Sequence, residues 1–195
     1  MNGNNGAKEA AAAKAQPGKA KKEARAGPNP MKGIRISKLV ISIGTGSDDQ
    51  RHASARILLE SMTGRTPADS ISRHRLPEFK ISQGQKIGTF VTLRGGAAAD
   101  MLKRLFAAVD NKLTKKQVVD NAINFGIKEY IDISGVKYNP KVGMLGMNVN
   151  VALQRRGTRV EERKRARSIE GKGQRKIGRE EIIDYIKDNF KVSVE

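Results

Sequence analysis

The stretch VISIGTGSDD, Val40 to Asp49, sets two glycines one residue apart between an apolar run and a polar helix start. Strand, glycines and helix form the arrangement that holds a nucleotide phosphate on the first helical N–H groups. Here the residue types fail that chemistry. A dinucleotide fingerprint needs a third glycine where Asp49 stands, and a Walker loop needs Gly-Lys followed by Ser or Thr. Asp48 and Asp49 would also repel the anion this helix is meant to attract. The glycines therefore read as a strand-to-helix turn that needs positive φ or a close backbone approach.

Other catalytic arrangements are thinner. His52 stands among polar neighbours and His74 between two arginines, so both read as surface residues rather than as a base or a ligand. With no cysteine, thiolate catalysis, disulfides and thiolate zinc sites are all excluded, and two histidines without a carboxylate pair give no metal spacing. The pairs Glu161-Glu162 and Glu180-Glu181 lie in basic or helix-start contexts, where charge balance and capping account for them. The chain is expected to need no cofactor and no metal and to perform no catalysis. A nucleotide-dependent enzyme is the minor alternative.

The basic residues point elsewhere. Lys plus Arg number 38 against 20 Asp plus Glu, a formal +18. Self-repulsion on that scale calls for a polyanionic partner, most commonly nucleic acid. A membrane surface would favour aromatic anchors, and the chain has 5 Phe, 3 Tyr and no Trp. Neither a membrane span nor the apolar centre of an export signal is found, so a soluble protein is expected. The charge concentrates between Arg155 and Arg179, where eleven basic residues meet three acidic ones. Arg155, Arg156, Arg163, Lys164, Arg165 and Arg167 are the candidate phosphate contacts there. Arginine's planar fork grips phosphates bidentately and stacks on unpaired bases, which suits folded RNA.

These side chains need a scaffold. Residues 1–30, rich in Ala and Lys with Pro17, Pro28 and Pro30, hold too little apolar surface to order and read as a flexible basic arm. A single domain is expected over 31–195, with a basic loop at 155–179. Alternation predicts strands at Ile36 to Ile43, Ala68 to His74, Lys86 to Arg94, about Asn121 to Ile133, and Met147 to Leu153. A helix is expected from Ser47, whose spacing to Gln50 matches a capping box, to Gly64, with Ala55, Leu58, Leu59 and Met62 facing the core. A second follows Gly95-Gly96 with Met101, Leu102, Leu105, Phe106 and Val109 on one side, and a last one carries Ile182, Ile183, Ile186 and Phe190. Strands that mostly adjoin in sequence predict an α+β fold: two layers, a mostly antiparallel sheet with helices packed on one face. Phe90, Thr92 and Arg94 share a face opposite Val91 and Leu93, and alternation leaves open whether Phe90 is core or meets RNA.

RISKLVISIGTG (35–46), SMTGRTP (61–67), FKISQGQKIGTFVTLRG (79–95) and NFGIKEYIDISGVKYNPKVGMLGMNV (124–149) together resemble the universal ribosomal protein family five of the large subunit, called large-subunit protein eleven in eukaryotes. The likeness runs from about Met31 to Phe190, and the late insertion resembles the archaeal and eukaryotic form. The resemblance implies a structural constituent of the large subunit that binds 5S rRNA in the central protuberance. It implies contacts with large-subunit rRNA, with neighbouring proteins of the protuberance and with the small-subunit head. The 5S rRNA positions would fall on Ser42, Arg65, Phe79 and Thr92, with Arg35 and Arg94 as further candidates. Bacterial members carry Asn at the place of Ser42 and Gln at that of Arg65, where the arginine would offer a phosphate contact. A loop over 76–86, with Pro77, Lys80, Gln83, Gly84, Gln85 and Lys86, would extend toward P-site tRNA. Gly44 and Gly46 would let the backbone pass close to RNA or to its own helix. The implied location is the cytoplasmic ribosome, with nucleolar assembly if the source is eukaryotic. The alternative is a basic nucleic-acid chaperone unrelated to ribosomes.

Overall fold

The computed structural model describes residues 30–140, 142–165 and 176–194. The arm expected at 1–30 lies outside them except for Pro30, as does the 166–175 part of the basic segment, Arg167 included.

Strand β1 (Ile34–Gly44) buries Leu39, Ile41 and Ile43 and turns Val40 and Ser42 to the other face. Helix α1 (Asp49–Thr63) follows. The expected capping box from Ser47 is corrected. Asp48 is the cap, its carboxylate accepting from the N–H of Gln50 at 3.0 Å and of Arg51 at 3.3 Å. A full negative charge at this position meets both the open N–H groups and the helix dipole, which a hydroxyl cannot match. The helix ends at Gly64, whose φ of 63° the absence of a Cβ permits.

Strand β2 (Ala68–Ile71) stops short of the expected His74, because its register on β3 (Lys86–Leu93) shifts at Ile71 and the chain leaves the ladder. Gly46 takes the positive φ expected of the strand-to-helix turn, and within the fold it is Gly88 that makes a close backbone approach. A Cβ there would meet the Ile43 carbonyl oxygen at 2.6 Å, whereas Gly44 and Gly46 face open space and Gly46 is needed for its φ of 66°. Helix α2 (Gly96–Ala107) buries Ala98, Met101, Leu102, Leu105 and Phe106, with Val109 half-buried just beyond its end.

Short strands β4 (Lys112–Leu113) and β5 (Val118–Val119) precede β6 (Ala122–Ile127). The strand expected to reach Ile133 ends at Ile127, since a 3-10 turn at Tyr130–Asp132 buries Tyr130, whose Oη accepts the Asn139 N–H at 3.1 Å. Then come β7 (Met147–Arg155), one turn of helix α3 (Arg159–Glu162), helix α4 (Arg179–Phe190) and β8 (Ser193–Val194).

Six strands form one sheet in the order β2-β3-β1-β7-β6-β5, antiparallel at every pairing, while β4 and β8 pair in parallel beside it. The α+β architecture is as the strand order predicted. One face of the sheet (Leu39, Ile41, Val91, Leu93, Val149, Val151) and the apolar sides of α1, α2 and α4 form a single core. Each such side chain removed from water stabilises the fold by about 1.5–3 kcal/mol. Phe106 ties the layers together, stacked on Phe125 of β6 at 5.3 Å and edge-on to Phe190 of α4 at 5.4 Å. Among the described residues, the opposite sheet face carries no layer.

Candidate nucleic-acid interface

The uncovered face follows from register. In one cross-strand row Phe90, Ser42, Asn148 and Gly126 stand side by side, in the next Thr92, Val40, Asn150 and Asn124, and in a third Lys38, Ala152 and Ala122. Strand period two sends all of these away from the core. Phe90 and Thr92 are half-buried while Val91 and Leu93 between them are buried, so Phe90 belongs to this open face rather than to the core. The first two rows hold no charged side chain and are mainly polar, with Phe90 and Val40 as their large apolar members.

Cations gather at one end of it. Lys38 lies beside the end of β3, where Arg94 follows Leu93, the partner of Leu39. Arg35 pairs with Gln154 at the same end. With the Gln154 amide turned to satisfy both partners, its oxygen accepts from Arg35 Nη2 at 2.8 Å and its nitrogen donates to Ser37 Oγ at 3.1 Å. Arg65, exposed just beyond the α1 cap, precedes β2, whose Ala68 pairs with Phe90, so it approaches from the Thr92 side.

The basic segment leaves from that end too, and its base is built rather than loose. Arg155 is half-buried, donating through Nη1 to the Lys32 carbonyl at 3.1 Å and through Nη2 to the Glu181 carboxylate. Its guanidinium is thus committed to the fold, while Arg156, Arg163, Lys164 and Arg165 are exposed. Within this charged segment Ile177 belongs to the core. That residue is fully buried, and its N–H donates to Asn121 Oδ1 at 2.8 Å.

At the far end, residues 72–85 form an internally bonded extension between β2 and β3. Ser72 N–H donates to Gln85 O at 2.9 Å and Gly84 N–H to Ser72 O at 3.0 Å, while Leu76 and Ile81 exchange backbone bonds at 2.9 and 3.1 Å. Lys80 and Gly84 take φ of 55° and 82°. The tip displays Phe79 at 66 % exposure with Leu76, Pro77 and Lys80, and Gln83 is exposed beside it. Phe79 therefore sits with the extension and not with Ser42 and Thr92. Gln85 is turned inward, its Oε1 accepting the Ser82 N–H at 2.9 Å. Lys86 pairs with Asp69 at 3.0 Å across the base.

His52 departs from its sequence reading. It is buried rather than a surface residue, with Nε2 3.3 Å from Asp69 Oδ1, because α1 lays this position against β2. The hydrogen bond from Lys86 holds the Asp69 carboxyl below its ordinary 3.8, outweighing partial desolvation, and the charges of Lys86, His52 and Arg56 act the same way. Among the described residues no group of His, Cys, Asp and Glu could hold a metal ion. Sequence reasoning missed Asn124, Asn148 and Asn150. The signal was present as the polar positions in the alternation of β6 and β7.

Residues 86–178 match the family model for the C-terminus of the ribosomal L5 proteins. Over 167 residues the chain is 35 % identical to the large ribosomal subunit protein uL5 of Sulfurisphaera tokodaii, covering 85 % of this chain and 94 % of that one. It is 41 % identical to the protein of the same name from Archaeoglobus fulgidus over 72 % of this chain and 79 % of the other. To that of Pyrobaculum aerophilum it is 39 % identical over 86 % and 93 %.

Proposed function

This chain belongs to the uL5 family of large-ribosomal-subunit proteins, in its archaeal type, and from that premise we propose that its open sheet face docks 5S rRNA in the central protuberance. It is a structural, non-enzymatic constituent of the ribosome, which is cytoplasmic in archaea. In the proposal Ser42 and Thr92 meet the RNA from the middle of the face, and Arg35, Lys38, Arg65 and Arg94 hold its phosphates at one end. The extension at 72–85 carries Pro77, Phe79, Lys80, Gln83 and Gly84 toward P-site tRNA. The basic segment, through Arg156, Arg163, Lys164 and Arg165, grips further large-subunit rRNA, and neighbouring proteins of the protuberance and the small-subunit head complete the surroundings.

One observation carries this reading: a six-stranded sheet leaves a whole face without a layer among the described residues, and that face is uncharged in the middle and cationic at one end. An apolar uncovered face would call for a protein partner, whereas this one suits a polyanion with hydrogen-bonding edges. RNA of A form offers a wide, shallow minor groove lined by 2′-hydroxyls and base edges, which a mainly polar sheet face can meet.

Competition binding tests it. The purified chain should bind 5S rRNA in preference to a tRNA-sized RNA at equal salt. Equal affinity for both would favour an indiscriminate nucleic-acid chaperone and contradict the 5S assignment.

A further inference from the structure

The middle of the sheet breaks a folding rule. Asparagine is disfavoured in strands, where β-branched residues pack best on the pleated surface. Yet β7 and β6, with β7 in the interior of the sheet, place Asn148, Asn150 and Asn124 on the open face. Asn150 stands directly opposite Asn124 on one side and Val40 on the other, and Asn148 lies between Ser42 and Gly126. All three are exposed, and none of their amides has a hydrogen-bond partner among the described residues. Gly126 adds room: a Cβ there would lie 3.5 Å from Asn148 Oδ1, so the amide extends over the glycine. Local preference set aside without a compensating contact inside the fold marks a functional surface.

We infer that Asn124, Asn148 and Asn150 form an amide ladder that reads 2′-hydroxyls and base edges of the docked RNA. The ladder extends the Ser42 and Thr92 surface across β7 onto β6. The inference rests on the RNA-docking reading above and adds residues and a mode of recognition to it. Each amide offers two donors and an acceptor and carries no charge. Such contacts contribute affinity without releasing counterions, so they are blind to salt. The cations at the end of the sheet and in the basic segment supply the salt-dependent part. Charge complementarity selects RNA as the occupant, since one end of this face is cationic and no acidic side chain stands in its three central rows.

The test is a salt series of 5S rRNA binding for the full chain and for N124A/N148A/N150A. The triple variant should lose about tenfold or more in affinity at every salt concentration, as hydrogen bonds of ordinary strength predict. Its log-log salt slope should match that of the parent, and its binding to inorganic polyphosphate should be unchanged. A second variant, N148T/N150T, guards against a folding explanation. It substitutes strand-favouring residues, so its melting temperature should equal or exceed the parent's while its RNA affinity falls. Parent and variants binding 5S rRNA equally well would overturn the ladder and leave the docking reading standing. A flattened slope in the triple variant would overturn it too. Failure of the parent itself to prefer 5S rRNA would remove the docking reading and the ladder together.

Discussion

His52 of α1 and Asp69 of β2 face each other at 3.3 Å, and Lys86 of β3 closes on the other carboxylate oxygen at 3.0 Å. Three elements thus meet in one polar cluster at the root of the 72–85 extension. The Asp69 carboxyl, held below its ordinary value first by the Lys86 hydrogen bond, favours the folded state while ionised. Since the folded value is the lower one, that contribution is present above about pH 3.8 and is lost as pH falls through the depressed value. Asp69→Asn should lower the melting temperature at neutral pH. It should also weaken the fall in melting temperature below pH 4, as followed by circular dichroism. An unchanged acid limb would contradict the stabilising role given to this carboxylate.

Two glycines that pair across β1 and β3 should respond unequally. Gly88→Ala drives a methyl group against the Ile43 carbonyl and should cost about 1–3 kcal/mol in urea unfolding. Gly44→Ala meets open space at a backbone angle that alanine tolerates and should stay within about 0.5 kcal/mol of the parent.

The base of the basic segment should be part of the cooperative unit. Ile177→Ala removes a fully buried side chain next to the Asn121 contact and should cost about 2–5 kcal/mol. A loss below about 0.5 kcal/mol would mean that this return of the chain is not anchored in the core.

Charge in the same segment should show in salt dependence and not in stability. Lys164→Ala with Arg165→Ala removes two exposed cations. If both meet rRNA phosphates, the log-log slope of binding should fall by about 0.7–0.9 for each contact. Melting temperature should stay unchanged, and an unaltered slope would exclude these two from the interface.

Much of this was legible from period alone. Alternation in β1, β3 and β7 and the helical spacing of Leu58, Leu59, Leu102 and Ile182 specify the two layers, because burial acts on side chains one by one. The misses have another origin. His52 is polar in sequence context, and only the tertiary placement of α1 on β2 buries it. Ile177 lies in a charged stretch and is drawn into the core where its backbone bonds to Asn121, distant in sequence. The asparagines were visible as residues but not as a ladder, since side-by-side placement depends on register between strands distant in sequence.

Contact at the middle of the open sheet decides whether this face docks 5S rRNA. A photo-crosslinking residue at Thr92, incorporated into the full chain and assembled into large ribosomal subunits, should join to 5S rRNA on irradiation. Crosslinks to a protein neighbour alone, with none to 5S rRNA, would contradict it.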